Sequence, residues 1–302
     1  MNIDSCCLMT VFTPTYNRAY ILPQLYHSLL KQTTKQHFEW LVIDDGSTDE
    51  TERLVKDWQE ENKIDIQYHK VVNGGKPRAI NKAVEWARSP FLFILDSDDY
   101  ITEDAIEFII DKCKLITDNA TFVGIGVLQG NKELIPKKET LFDEYVDATN
   151  LERSFYGLDV DCNEVYKVSI LKQYPFKVWD GEIFTPESVV LNEMALDGYQ
   201  LRWFNKVAVV SEYLQDGMTK GGWELMKNNP MGYAMLFNHR LKYLKSVHER
   251  VNSAIQMIAH SILGGNCRYL FCSNDKILTL FCLPIGFILA FRRYMQYQQK
   301  RV

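Results

Sequence analysis

Short apolar segments alternate with amphipathic segments through most of the first 210 residues of this chain. The apolar segments are typical of buried strands, and the segments between them place apolar residues at helical spacing. The predicted strands are 8–13, 38–43, 64–72, 91–95, 121–128 and 201–210. The predicted helices are 21–30, 48–61, 77–87, one that starts at 102, and 187–196. This alternation favours an α/β fold in which helices cover both faces of a mostly parallel sheet. The stretch 129–182 has no regular period, and no element is predicted there.

Polar clusters follow three of the predicted strands, at residues 13–18, 44–47 and 96–99. Ligands of open parallel sheets bind beyond the carboxyl ends of the strands, where such clusters meet. We therefore expect these three segments, which are far apart in the sequence, to form one binding rim.

The segment Asp96-Ser97-Asp98 places two carboxylates one residue apart after a buried strand. Carboxylate oxygens in that arrangement suit a hard divalent cation such as Mn²⁺ or Mg²⁺. The alternative is a polar turn that caps the helix beginning near Thr102, and we interpret Asp99 in that way.

Three further segments carry candidate binding groups. After the second predicted strand, a carboxylate of 44–49 can accept the imide N–H of a uracil ring, although a plain turn is the alternative. After the first predicted strand, Tyr16 can border a base and Arg18 can reach a phosphate. The glycine turn 73–76, followed by Arg78 and Asn81, predicts an anion site at a helix N-terminus that includes Lys76.

Glu187 follows Thr185 and Pro186 at the predicted start of a helix. A carboxylate at that position can act as a general base, and an ordinary helix-start residue is the alternative interpretation.

The net charge of −5 gives no basic field that would attract nucleic acid, and that partner is excluded. Residues 292–302 carry +4, which leaves −9 on residues 1–291. The seven cysteines form no CxxC pair, and the first residues do not form a secretory signal, so we expect a cytoplasmic protein.

Residues 277–291 are 15 residues without a charge, followed by basic residues. A spanning helix needs ~20 apolar residues, so we predict a helix at the membrane interface, with a packed core helix as the alternative. Residues 223–291 have helical spacing, and the predicted domains are 1–220 and a helical extension, 221–302.

In order, the motifs resemble those of family 2 glycosyltransferases with the GT-A fold. They are TPTYNR (13–18), VIDDGSTDET (42–51), NGGKPRAIN (73–81), LDSDD (95–99), TPE (185–187) and YLQDGMT (213–219). The resemblance implies a Rossmann-like, mixed and mostly parallel sheet flanked by helices. It also implies a nucleotide-sugar site with these residues: Thr13, Pro14, Tyr16, Arg18, Asp45, Lys76, Asn81, Asp96 and Ser97.

The resemblance further assigns individual roles. Asp98 matches the acid that binds Mn²⁺ or Mg²⁺, with Asp96 at the metal or the ribose, and Asp45 matches the acid at the base, with Asp44 as the second choice. Glu187 matches the catalytic base, although the family often has an acid where Ser188 stands. Residues 216–219 match a loop that closes over the donor.

The expected function is inverting, metal-dependent transfer of a sugar from a UDP-sugar to a lipid-linked or polysaccharide acceptor in bacterial cell-surface glycan synthesis. We expect the protein at the inner face of the membrane, through residues 277–302. One alternative, a sugar-phosphate nucleotidyltransferase, needs a glycine-rich basic loop that 13–18 lacks. The other, an inactive scaffold, is disfavoured by the acids at 45, 96, 98 and 187.

Overall fold

The computed structural model describes residues 8–34, 37–211 and 222–299. The chain divides into two compact units: Met1–Pro175 with Asn192–Leu214, and Phe176–Leu191 with Gln215–Val302. The first unit contains the sheet, and the described part of the second unit is mainly helical. The predicted domain boundary at residue 220 lies outside the described residues.

A single mixed sheet forms the centre of the first unit. Its strands are β1 Met9–Thr15, β2 Phe38–Asp44, β3 Ile66–Lys70, β4 Phe91–Ile94, β5 Asp99–Ile101, β6 Phe122–Gly130, β7 Tyr145–Ala148, β8 Cys162–Lys167 and β9 Gln200–Ser211. The strand order is β3-β2-β1-β4-β8-β6-β9-β5, and β7 pairs with β9. The strands β3, β2, β1 and β4 are parallel, whereas β8 is antiparallel to both of its neighbours. The predicted α/β fold is confirmed.

The helices are distributed over both units. They are α1 Leu22–Leu30, α2 Thr51–Glu61, α3 Lys76–Trp86, α4 Ala105–Lys114, α5 Val168–Leu171, α6 Ser188–Leu196, α7 Gly222–Asn228, α8 Pro230–Arg240, α9 Val247–Leu263 and α10 Lys276–Gln299. Two short 3₁₀ helices are Arg153–Tyr156 and Cys267–Cys272.

Stacked aromatic rings attach the first two helices to the sheet. The rings of Tyr26 on α1 and Trp58 on α2 stack with centroids 4.2 Å apart, and Trp40 on β2 lies 5.8 to 6.0 Å from both. Rings of this size dominate core burial and prefer such offset stacking. The helices therefore hold β2, and the loop that follows it, in a defined position.

Two helices begin three residues later than predicted. Thr48 was expected to begin α2, but its N–H donates to Asn17 Oδ1 (2.8 Å) and the helix begins at Thr51. Thr102 was expected to begin α4, but its N–H donates to Ala208 O (3.0 Å) and Asp104 is the N-cap. In both places a tertiary hydrogen bond holds a residue before the helix to another part of the sheet unit.

Three strands were not predicted. The strands β5 and β7 have three and four residues, too short for a period to show. The strand β8 contains Asn163, Glu164 and Lys167, and it becomes a strand because it fits between β4 and β6. Pairing with segments distant in sequence overrides a weak local preference.

In the second unit, α8, α9 and α10 pack around a small core of Leu241, Ala254, Met257, Ile258 and Cys282. The predicted apolar segment 277–291 lies within α10, which has 24 residues and continues through Pro284. In the described part of the chain, α10 alone is long and apolar enough to cross a membrane by length and composition, with a mean hydropathy of 1.6.

Candidate active site

The loops after β1 and β2 are joined by hydrogen bonds. Asn17 N–H donates to Ser47 Oγ (2.8 Å), and Ala19 N–H donates to Asp49 Oδ2 (3.0 Å). Asn17 has φ 53°, a left-handed conformation that Asn tolerates better than most residues. Two of the three predicted polar clusters thus lie side by side.

Thr13 and Pro14 lie within β1, because the strand continues to Thr15 instead of ending at Thr13 as predicted. Thr13 is buried, and its hydroxyl accepts a hydrogen bond from Trp40 Nε1 (3.0 Å). This side chain therefore contributes to the core, and its predicted contact with a nucleotide stays a prediction.

Tyr16 and Arg18 lie in the loop after β1, as predicted. The Tyr16 side chain is 49% exposed, so its ring is accessible to a ligand. Arg18 donates to the Tyr20 hydroxyl (2.7 Å), and its positive charge offsets part of the rise in the pKa of Asp98 that burial and the charge of Asp96 cause. Arg18 is thus electrostatically coupled to the third polar cluster.

Asp44 and Asp45 have different environments. Asp44 is fully buried, and its carboxylate accepts from Ser47 N–H (2.7 Å) and from the Tyr68 hydroxyl (2.6 Å). Asp45 lies at the end of β2 and is 8% exposed. Burial raises the pKa of Asp45, although two backbone N–H groups partly offset that effect. Asp44 therefore organises the turn, and Asp45 is the better candidate for contact with a ligand.

The glycine turn before α3 binds the Asp45 carboxylate. Gly74 N–H and Gly75 N–H donate to its two oxygens at 2.7 and 2.8 Å. We had predicted that these N–H groups would bind a ligand anion, and the structure corrects this, since a side-chain carboxylate already occupies both donors. Each carboxylate oxygen keeps a lone pair that can accept from a base.

Lys76 connects the glycine turn to the acidic segment after β4. Its ammonium lies 2.8 and 3.0 Å from the two oxygens of Asp96. Asn81 lies on the same helix, α3, and is partly buried. Lys76, the predicted anion-binding residue, and Asp96, a predicted metal ligand, therefore form an ion pair.

Residues 96–99 form a turn in which Asp99 N–H donates to Asp96 O (3.1 Å) and Ser97 is buried. Asp99 was predicted to cap α4, and this is wrong. It begins β5, and its carboxylate accepts a hydrogen bond from Gln129 Nε2 (2.9 Å). Asp99 is therefore buried by the pairing of β5 with β9.

The acids of this turn repel one another. Burial, followed by the charges of Asp96 and Asp98, raises the pKa of Asp99 to about 8. Burial and the charge of Asp96 also raise the pKa of Asp98, while Arg18 and Lys76 partly offset that shift. A cation bound between these carboxylates would reduce their mutual repulsion.

The acids of residues 96–98 fit a divalent cation that takes only part of its ligands from the protein. Within residues 8–34, 37–211 and 222–299, no group of three or more His, Cys, Asp or Glu side chains is arranged to hold a metal ion. Mg²⁺ is usually bound by one or two carboxylates together with substrate phosphates and water. Asp96 and Asp98 supply the two carboxylates that a site of that kind takes from the protein.

Glu187 belongs to the second unit and directly precedes α6. Its carbonyl accepts from Val190 N–H (2.9 Å) and Leu191 N–H (3.1 Å), so it occupies the N-terminal position of this helix, as predicted. Its side chain is partly exposed. The predicted donor loop, 216–219, lies outside the described residues.

A reciprocal set of hydrogen bonds holds the segment before Glu187. The buried Glu182 carboxylate accepts from Met231 N–H (2.6 Å) and Gly232 N–H (2.8 Å) at the start of α8. In return, Asn229 Oδ1 accepts from the N–H groups of residues 183 and 184 at 2.9 and 3.0 Å. A Cβ on Gly232 would lie 2.2 Å from the carbonyl oxygen of residue 184, so the close approach requires glycine.

Neither Glu182 nor Asn229 was predicted from the sequence. Glu182 lies in a stretch without a regular period, and its partners are some 50 residues away in the sequence. The one local signal is Asn229-Pro230, a frequent beginning of a helix, which marks α8 without indicating what binds its N–H groups.

Several known proteins resemble this chain. Poly(ribitol-phosphate) beta-N-acetylglucosaminyltransferase TarS of Staphylococcus aureus is 26% identical over 224 residues, 72% of this chain and 37% of TarS. Poly(ribitol-phosphate) beta-glucosyltransferase of Bacillus spizizenii is 26% identical over 186 residues, 59% of this chain and 28% of the relative. The chain thus covers about a third of the length of these two relatives.

Solved structures share the fold. The crystal structure of S. aureus TarS 1-349 in complex with UDP-GlcNAc has a TM-score of 0.60 and 18% identity, and the match covers 97% of this chain and 92% of that one. A mannosyltransferase from Pyrobaculum calidifontis in complex with GDP-Man and Mn²⁺ has a TM-score of 0.52 and 18% identity, with 93% and 73% covered.

The family model for "Glycosyl transferase family 2" matches residues 10–174, which is more than half of the chain. These residues include the loops after β1, β2 and β4 and the glycine turn before α3. The chain belongs to glycosyl transferase family 2.

Proposed function

We propose that this protein transfers a sugar, with inversion, from a UDP-sugar to a hydroxyl of a cell-surface glycan or its lipid-linked precursor. The observation that carries the proposal is the convergence of Arg18, Asp45, Lys76, Asp96 and Asp98 on one rim of the sheet. UDP-GlcNAc is bound by the structurally similar TarS, and both curated relatives are named for sugar transfer to poly(ribitol-phosphate).

The donor site uses the groups on this rim. In this proposal Asp45 accepts the imide N–H of uracil, which is supported by the lone pair that each of its oxygens keeps beside the glycine turn. Arg18 and Lys76 supply positive charge that offsets the charge developing on the departing nucleoside diphosphate. Asp96 and Asp98 would hold Mn²⁺ or Mg²⁺, which when bound polarises the diphosphate and neutralises part of its charge.

Glu187 is the proposed general base. The acceptor hydroxyl gives its proton to the Glu187 carboxylate while its oxygen forms a bond to the anomeric carbon. The bond from that carbon to the diphosphate oxygen breaks at the same time, and UDP leaves with the electron pair. General-base catalysis of this kind contributes ~10²–10⁴-fold in rate.

The donor specificity can be tested by thermal denaturation with a panel of nucleotide sugars, in the presence of Mn²⁺, Mg²⁺ or EDTA. A ligand at ~100 times its Kd stabilises the folded state by ~2.7 kcal/mol, which a melting curve detects. We expect stabilisation by a UDP-sugar that EDTA reduces. If no nucleotide sugar stabilises the protein with either metal, the proposal is wrong.

Catalysis can be tested by measuring UDP release with an acceptor. Asp98→Ala and Glu187→Gln are each expected to abolish transfer while the fold survives, and Glu187→Gln should still bind the donor. Matched controls are Asp57→Ala on α2 and Glu249→Gln on α9, two exposed acids. Near-wild-type turnover in Asp98→Ala or Glu187→Gln would remove that residue from the mechanism.

A further inference from the structure

The helix α10 has its large apolar side chains on the outside. Five of them are 66–77% exposed and fall on one side of the helix, since the last four follow the first by three, four, eleven and fourteen residues. This apolar stripe consists of Ile277, Leu280, Phe281, Ile288 and Phe291. At about 3.6 residues per turn, positions i, i+3, i+4, i+11 and i+14 fall on one face of an α-helix, so the stripe occupies a single face.

The opposite side of α10 is buried, and up to residue 290 its buried residues are small. They are Thr279, Cys282, Gly286 and Ala290, and the larger Tyr297 is buried near the end of the helix. A Cβ on Gly286 would lie 2.5 Å from the Ile258 side chain of α9, so the two helices approach closely there. A helix on the surface of a water-soluble protein normally buries its large apolar residues and exposes polar ones. In α10 this arrangement is inverted, which indicates that the stripe faces an apolar medium.

The packing of α10 against α9 determines how the stripe can meet that medium. Near the start of α10, Arg250 of α9 pairs with Asp275 (2.6 Å). Near its end, Arg293 donates to Gln256 Oε1 (2.7 Å) and lies 2.7 Å from His260 Nε2. If α10 crossed a bilayer, these charged and polar groups of α9 would enter the hydrocarbon with it, at a high cost. A helix that lies in the plane of the interface keeps them outside.

The charges beside the stripe identify the partner. Lys276 and Arg292 flank the stripe along α10 and are exposed, and the sequence of α10 contains no Asp or Glu. A second copy of this chain would bring cationic borders together without an acid on either α10 to pair with them. Anionic lipid headgroups complement these charges, and acyl chains complement the stripe.

We propose that α10 docks this protein on an anionic lipid bilayer, lying in the plane of the interface with the apolar stripe inserted. Binding of this surface to lipid requires neither a bound nucleotide sugar nor catalysis. Vesicle binding and sugar transfer can therefore succeed or fail independently of each other.

The test is sedimentation of the full chain with vesicles of phosphatidylglycerol and phosphatidylcholine, and with vesicles of phosphatidylcholine alone. We expect binding to the anionic vesicles that weakens as salt is raised, because exposed charges are screened. Phe281→Ser and Ile288→Ser should each weaken the binding about tenfold, from the lost insertion of one large apolar side chain. Arg292→Gln should weaken it about fivefold, the contribution of one basic residue near the surface.

Phe155→Ser is the matched control, since Phe155 is also an exposed phenylalanine (73%) but lies in the first unit. Its binding should equal that of the wild type. The proposal is overturned if the wild type does not bind anionic vesicles, if neutral vesicles bind it equally well, or if Phe155→Ser weakens binding as much as Phe281→Ser. A wild-type dimer that Phe281→Ser converts to a monomer, without vesicle binding, would make the stripe an interface between copies. Resistance of membrane-bound protein to alkaline carbonate would indicate a spanning helix and overturn the in-plane arrangement.

Discussion

Replacing Glu182 by alanine is expected to loosen the segment that carries Glu187. The substitution removes a buried carboxylate that accepts two backbone N–H groups, from Met231 and Gly232, at 2.6 and 2.8 Å. Both donors then remain at the start of α8 without a protein acceptor for their hydrogen atoms. The hydrogen bonds that Asn229 Oδ1 accepts from the two backbone N–H groups after Glu182 would remain.

The size of the effect follows from these contacts. Hydrogen bonds to a charged group contribute about 1.5–3 kcal/mol each, so two of them contribute about 3–6 kcal/mol. Burial of the carboxylate opposes this gain, as the raised pKa of Glu182 shows. We therefore expect a net loss of about 3 kcal/mol in the free energy of local opening, which increases the open population about a hundredfold.

Hydrogen exchange followed by mass spectrometry measures this opening directly. Peptides that cover residues 182–190 and 229–240 should exchange about a hundredfold faster in Glu182→Ala, while peptides from the sheet should not change. Glu249→Gln is the control, because Glu249 also lies in the first turn of a helix, α9, but is exposed. Unchanged protection of both peptides in Glu182→Ala, or an equal loss in Glu249→Gln, would refute this reasoning.

Two further predictions concern the first unit. The folded-state pKa of Asp99, about 8, exceeds its ordinary value of 3.8, so the folded protein retains a proton that the unfolded chain has released between these pH values. In metal-free buffer, the urea midpoint should therefore fall as the pH rises from 5 to 8, and Asp99→Asn should flatten this slope. An identical slope in Asp99→Asn would show that another group is responsible. Thr13→Val removes the acceptor of the Trp40 indole N–H and should lower the free energy of unfolding by about 1 kcal/mol. We expect the affinity of Thr13→Val for the donor, measured by calorimetry, to equal that of the wild type, because Thr13 acts in the core. A tenfold weaker affinity would instead show that Thr13 contributes to the donor site, as the sequence predicted.

The sheet and its binding rim were largely predictable from local pattern. The fully apolar segment 91–95, and 38–43, which is apolar except for Glu39, have no good alternative to a buried strand. The polar residues directly after them mark the strand ends. The fold then brings Asp45, Lys76, Asp96 and Asp98 together, because the carboxyl ends of parallel neighbours share an edge. The short or polar strands β5, β7 and β8 were not predictable, because only their neighbours in the sheet make them strands.

The residue pattern alone specified the α/β class, the rim acids and an apolar segment near the end of the chain. These features depend on composition and period within some ten residues. The tertiary structure decided that Asp45 takes the N–H groups of the glycine turn, that Glu182 binds the start of α8, and which side of α10 faces outward. Each of these depends on groups that lie about 30 or more residues apart in the sequence. A single hydrogen bond or helix contact over such a distance does not produce a repeating pattern of residues, so it cannot be read from the sequence. It forms only when the rest of the unit has folded around it.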